Sequence, residues 1–188
     1  MIERAQSSLV VVDVQQRLLP AISRGAAALE RIALLVRAAA ALGVPVVATE
    51  QYPRGLGHTV AEVGLDDADA AVVEKTFFDA IRAPAVRDAL MATGRPRPVV
   101  CGFEAHVCVL QTVLGSLREG WRPVVVADAV GSRRRADHEA ALARLRAEGA
   151  TVATAEMVVF EWLGTAEDPA FSALLPAIRA LGGEEGIE

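Results

Sequence analysis

Short valine-rich runs punctuate the chain at 9–12, 44–48, 71–73, 98–102, 123–127 and 151–154. Each run is continuously apolar rather than alternating, the pattern of a strand buried on both faces. Between the runs lie segments of helical period. Leu29, Ile32, Ala33, Val36 and Ala40 share one helical face, and Leu110, Leu114, Leu117 and Trp121 repeat at helical spacing after Cys108. Pro84 stands where a first helical turn opens, and Gly94 lies just past that helix's end. Ser132 is placed to cap a further helix that carries Leu142 and Leu145 and stops at Gly149.

Strands that alternate with helices of this length predict βαβ units and a parallel sheet. The expected architecture is a single three-layer α/β/α domain, Rossmann-like, spanning residues 1–188 around six parallel strands, with 182–188 as a frayed polar tail. The 188-residue length suits one domain. The segment 157–163, with Phe160 and Trp162, reads equally as core or as a subunit contact.

Composition narrows the function classes. Hydrophobic residues make up 53% and aromatics only 4%, so the core must be built from Ala, Val and Leu. The net charge of −5 gives no electrostatic reason to expect nucleic acid or an anionic membrane as partner. The basic cluster Arg133-Arg134-Arg135 reads as a solvated helix start. The N-terminus lacks an apolar signal core, and no apolar stretch reaches membrane-spanning length. Two cysteines, Cys101 and Cys108, do not make a disulfide framework. The expectation is a cytoplasmic protein without a membrane partner.

In an open parallel sheet, ligands bind beyond the carboxyl ends of the strands. Asp13 follows the first run, where a buried acid is costly without a partner or a task. Lys75 follows the third run, and Asp13 is its natural counter-charge; a structural ion pair and a chemical one fit equally at this point. The loop after the second run, 49–59, carries Glu50, Gln51, Tyr52 and His58. After the fourth run the chain turns through Gly102 and a helix opens near Cys108. A thiol at a helix N-terminus gains thiolate stabilisation and free N–H donors, whereas most free cysteines are small buried hydrophobes. Spacing leaves both readings open for Cys108; Cys101, inside a strand, is the inert kind.

Other chemistries fit worse. A phosphotransfer site built on Asp13 wants a second acid two residues on, where Gln15 stands. No glycine-rich phosphate loop follows the first strand, and the G-x-S-x-G elbow is absent. His58, His106 and His138 lack zinc-site spacing.

The blocks VVDVQ, TEQYPRGLG, EKTFF and GFEAHVCVLQT, in this order, resemble the isochorismatase-like cysteine hydrolases over residues 8–179. Their detail is most similar to the isochorismatase-domain-containing branch. The resemblance implies Cys108 as nucleophile, Asp13 as general base and Lys75 as charge partner. It also implies a cis peptide before Glu104 and an oxyanion hole made by the backbone N–H groups of Glu104 and Cys108. Nicotinamidases of this family bind a metal through an acid and histidines after the second strand. Here that loop offers one histidine, so neither a metal nor another cofactor is expected. The retained Cys108 argues against vinyl-ether cleavage. The function implied is hydrolysis of a C–N bond in a small amide, ureido or carbamoyl compound. Leu19, Gln51, Tyr52, Phe78, Phe103 and His106 are the candidate substrate walls, and a homo-oligomer is expected. The rival readings are a redox or thiol-transfer protein using Cys108 without Asp13, and a non-enzymatic binding protein on the same scaffold.

Overall fold

A computed structural model describes residues 1–181, so the tail expected to fray at 182–188 lies outside the described residues. Among the described residues, strands β1 (Ser7–Val12), β2 (Val46–Gln51), β3 (Ala71–Lys75), β4 (Arg97–Phe103), β5 (Val124–Gly131) and β6 (Thr151–Ala153) form one sheet in the order β3-β2-β1-β4-β5-β6. Every pairing is parallel. The helices are α1 (Gly25–Leu42), α2 (Pro53–Leu56), α3 (Pro84–Ala92), α4 (Leu110–Arg118), α5 (Arg135–Ala147), α6 (Ala155–Leu163) and α7 (Pro169–Leu181).

The continuous valine runs feed two cores at once. Leu9 and Val11 point to one face of the sheet and Val10 and Val12 to the other, because successive strand side chains alternate. The first face packs against Ile32 and Leu35 of α1, Trp162 of α6 and Leu174 of α7. The second packs against Val86 and Leu90 of α3, Val109 and Val113 near α4, and Leu145 of α5.

Several sequence expectations shift in detail. In α1 the buried stripe is Ala28, Ile32, Leu35 and Ala39, while Leu29 and Ala33 are half-buried and Ala40 is exposed. In α4 the fully buried residues are Leu110, Thr112, Val113, Gly115 and Ser116, while Leu114, Leu117 and Trp121 of the leucine repeat are half-buried against the same core. Thr112 and Gly115 face inward for polar reasons: the Thr112 hydroxyl accepts from the Ala80 N–H, and Gly115 lies against the Asp79 carboxylate, where a Cβ would stand 2.4 Å from Oδ1. Strand β5 runs on through Asp128 to Gly131, with a register shift against β4 between Val100 and Gly102. Ser132 does not cap α5; Arg134 holds the N-cap position without a side-chain bond. In α6, Trp162 and Leu163 are core, as one of the two readings expected, while Met157 and Phe160 are exposed.

The strand order fixes where a site can form. The chain steps outward through β1, β2 and β3, then returns to place β4 on the other side of β1. The switch point of the sheet is therefore the crevice between the ends of β1 and β4. Asp13 lies at the end of β1, and the turn leading to Cys108 follows β4.

Candidate active site

The β1–β4 junction needs glycine. Gly102 pairs with Val12 at φ +115°, and a Cβ there would stand 2.1 Å from the Val12 carbonyl oxygen. This close approach brings the two strand ends together. Beyond it the Phe103–Glu104 peptide is cis. Residues Ala105–Val109 then wind as a single wide π-helical turn into α4. The Glu104 carbonyl accepts from the N–H groups of both Val107 and Val109, at 3.1 Å each, which wraps the chain tightly around Cys108.

Asp13 turns out of β1 in the left-handed region, at φ +52°, a conformation that Asp tolerates better than most residues. Its N–H donates to the Thr49 carbonyl. Its carboxylate is wholly buried and well supplied with donors. The Thr49 hydroxyl donates to Oδ1 at 2.7 Å, and the Lys75 ammonium donates to Oδ2 at 2.7 Å. The Lys75 side chain is also wholly buried. The Cys108 thiol lies near enough to the same carboxylate to feel its charge. Three side chains from the ends of β1, β3 and β4 thus meet in one place.

The electrostatics revise one expectation. Burial pushes the Cys108 thiol up to about 12, and the Asp13 carboxylate, with a smaller push from Glu104, adds to the rise against the opposing pull of Lys75. The site thus favours the protonated thiol over a thiolate poised by a helix end. Asp13 is the carboxylate that acts on it most strongly. Burial alone raises Cys101 further still, and its thiol faces the Val10 carbonyl.

The remaining candidates divide. Leu19, Tyr52, Phe78 and His106 all sit on segments that follow strand ends; Tyr52 and Phe78 are exposed, Leu19 and His106 half-buried. Phe103 is fully buried and packs beside Gly131 and Ile22, so it supports the floor instead of lining a wall. Gln51 spends its side-chain amide inside the protein: Oε1 accepts from Lys75 Nζ at 2.8 Å, and Nε2 donates to the Thr76 carbonyl at 3.0 Å. His106 Nδ1 lies 3.0 Å from the Ser132 hydroxyl, which is the task Ser132 performs in place of capping. Arg133 pairs with Glu104 at 2.5 Å, so one member of the basic cluster braces the nucleophile turn.

Spacing did not reveal Thr49 or Gln15. Thr49 reaches Asp13 because β1 and β2 are neighbours, and buried Gln15 bonds to Gln51 and Gly57 for the same reason.

Glu50 anchors the loop above the site. Its carboxylate accepts from the Thr59 N–H at 2.7 Å and hydroxyl at 2.9 Å, with His58 Nδ1 at 2.9 Å from the other oxygen. Among the described residues, no group of three His, Cys, Asp or Glu side chains is placed to hold a metal ion. Cavities of about 440 and 530 Å³ open elsewhere, one around Arg31, Asp128, Ser132 and His138 and the other around Asp79, Arg82 and Arg118; neither reaches Asp13, Lys75 or Cys108. Cys108 is only 7% exposed. No helix among the described residues is long and apolar enough to cross a membrane.

A parallel sheet with a buried Asp–Lys pair and a cysteine at its switch point defines an α/β protein of the hydrolase kind. The isochorismatase domain model matches residues 7–157, and the chain belongs to the isochorismatase-like hydrolase family. It is 36% identical over 182 residues to isochorismatase domain-containing protein 2 of Pongo abelii, covering 96% of this chain and 87% of that one. It is 35% identical over 175 residues to isochorismatase domain-containing protein 1 of Salmo salar, covering 93% of this chain and 62% of that one. Among solved structures, one described as MAR1 ribonuclease from Caenorhabditis elegans superposes with a TM-score of 0.90 at 31% identity, covering 100% of this chain and 96% of the other.

Proposed function

We propose that the protein hydrolyses a C–N bond in a small amide, ureido or carbamoyl compound through a thioester on Cys108. The observation that carries this reading is the Asp13 carboxylate, wholly buried, held by Lys75 and Thr49, and close enough to the Cys108 thiol to act on it electrostatically. A base beside a protonated thiol, neutralised by a fixed cation, is the arrangement nucleophilic catalysis needs.

Asp13 takes the thiol proton as Sγ bonds to the substrate carbonyl carbon. The backbone N–H groups of Glu104 and Cys108 stabilise the oxyanion. The C–N bond breaks and the departing nitrogen takes the proton from Asp13. Water, giving a proton back to Asp13, then attacks the thioester; the acid leaves and the proton returns to Cys108. Lys75 stays paired with the Asp13 carboxylate between these steps. Leu19, Tyr52, Phe78 and His106 form the rim, and their apolar bulk suits a small, mostly uncharged substrate. We infer a cytoplasmic homo-oligomer; the exposed rings of Tyr52, Phe77 and Phe78 beside the site support a covering subunit.

A ribonuclease activity like that named for the nematode relative would need a cationic path for a polyanion. The net charge of −5 supports the small neutral substrate instead. A screen of small amides and ureides against native protein, Cys108→Ala and Cys101→Ala tests the proposal. Turnover lost in the first variant and kept in the second supports it; substantial turnover in Cys108→Ala overturns it.

A further inference from the structure

We propose that Gln15 and Gln51 are positioning residues that hold the Lys75 ammonium against Asp13 and so keep the carboxylate aimed at the Cys108 thiol. The inference rests on reading Cys108 as the nucleophile and Asp13 as its base.

The need for such a device follows from topology. Lys75 ends the edge strand, and β2 lies between it and β1. Its ammonium must cross the end of β2 to reach Asp13. The β1–β2 ladder stops at Val12 and Thr49, so Glu50 and Gln51 run on with no β1 residue beside them. The side chain of Gln15 takes that place. Its Oε1 accepts from the Gln51 N–H at 2.8 Å, and its Nε2 donates to the Gln51 carbonyl at 3.1 Å. These are the two bonds a neighbouring strand would make. The second Nε2 hydrogen goes to the Gly57 carbonyl at 2.6 Å, tying down the loop over the site. Gln15 is fully buried, and only one orientation of its amide satisfies these partners; the flipped one sets N–H against N–H and oxygen against two carbonyls.

Gln51, fixed at its backbone, is fixed at its side chain too. Its Nε2 donates to the Thr76 carbonyl, which directs Oε1 at Lys75 Nζ. The ammonium is therefore held between Gln51 Oε1 and Asp13 Oδ2, at 2.8 and 2.7 Å. The charged groups acting on the Cys108 thiol are Asp13, Lys75 and Glu104, and Arg133 pairs with the last. Lys75 alone among those three favours the thiolate, so its placement governs how readily the proton leaves.

The test follows iodoacetamide alkylation of Cys108 across pH, read by peptide mass spectrometry, alongside thermal unfolding. Gln51→Leu removes the acceptor for Lys75. The expected result is an alkylation profile moved upward by about one pH unit in Gln51→Leu, hence about tenfold slower at neutral pH. Gln15→Glu, which keeps the acceptor but loses both donated bonds, should show the same displacement in smaller degree. A merely structural role lowers the unfolding temperature of Gln51→Leu and leaves its profile in place. That result, with Lys75→Met and Asp13→Asn still displaced toward slower labelling, overturns the positioning role alone. Native-like or faster labelling in Lys75→Met and Asp13→Asn overturns the reading on which it rests.

Discussion

The Lys75 ammonium lies 2.7 Å from the Asp13 carboxylate with both side chains wholly buried, although Lys75 belongs to the edge strand of the sheet. Most of β3 is exposed, and its buried residue is the charged one at its end. Packing does not explain a lysine there. A buried ion pair contributes little net stability once desolvation is counted, while breaking one leaves an uncompensated charge.

The pair therefore predicts an asymmetric stability pattern. Lys75→Met strands the Asp13 charge and should cost about 3–5 kcal/mol. Adding Asp13→Asn removes that charge and should recover a good part of the loss. Urea unfolding of native, single and double variants measures it; additive losses would mean the two groups do not depend on each other.

Gly102 predicts a strict requirement. A Cβ 2.1 Å from the Val12 carbonyl, at φ +115°, cannot be relieved by turning a side chain. Gly102→Ala should lose at least about 3 kcal/mol or fail to fold. Soluble yield and urea midpoint report it, with Gly149→Ala, a positive-φ position with nothing near its Cβ, separating backbone strain from collision.

How far the chain could be read before its structure varies by element. The sheet was legible because continuous valine runs have few other uses, and the Asp13–Lys75 pairing followed from two charges at buried strand ends. The end of β5 was misplaced because Asp128 looks like a strand terminator, yet its carboxylate is used by the Ala155 N–H and by Arg31. The α4 leucine repeat does pack against the core, but the inward Thr112 and Gly115 went unread because they face inward for polar reasons that hydrophobic period cannot express. Thr49 and Gln15 stayed hidden because their partners are set by which strands are neighbours, a tertiary fact without a local signature.

Glu50 predicts a pH effect. Burial is the largest influence and pushes its carboxyl up, but the bonds from Thr59 and the contact with His58 outweigh it, and the net shift is downward. A carboxyl depressed on folding stabilises the protein above its unfolded value of about 4.5 and loses that contribution as pH falls through the folded value. Glu50→Gln should thus melt about 2–4 °C lower than native at pH 7, with the gap closing below pH 4.5. A gap that stays constant across this range would contradict the assignment.

The central claim is that Asp13 takes the Cys108 proton, and alkylation of Cys108 in native protein and Asp13→Asn tests it most directly. The two accounts of Asp13 have opposite signs. As a base, its loss removes the proton acceptor, so alkylation at neutral pH should slow about tenfold or more and become dependent on hydroxide. As a bystander charge that raises the thiol, its loss should lower the thiol and speed the reaction. Slower labelling in Asp13→Asn is the result predicted here; faster labelling would contradict the mechanism.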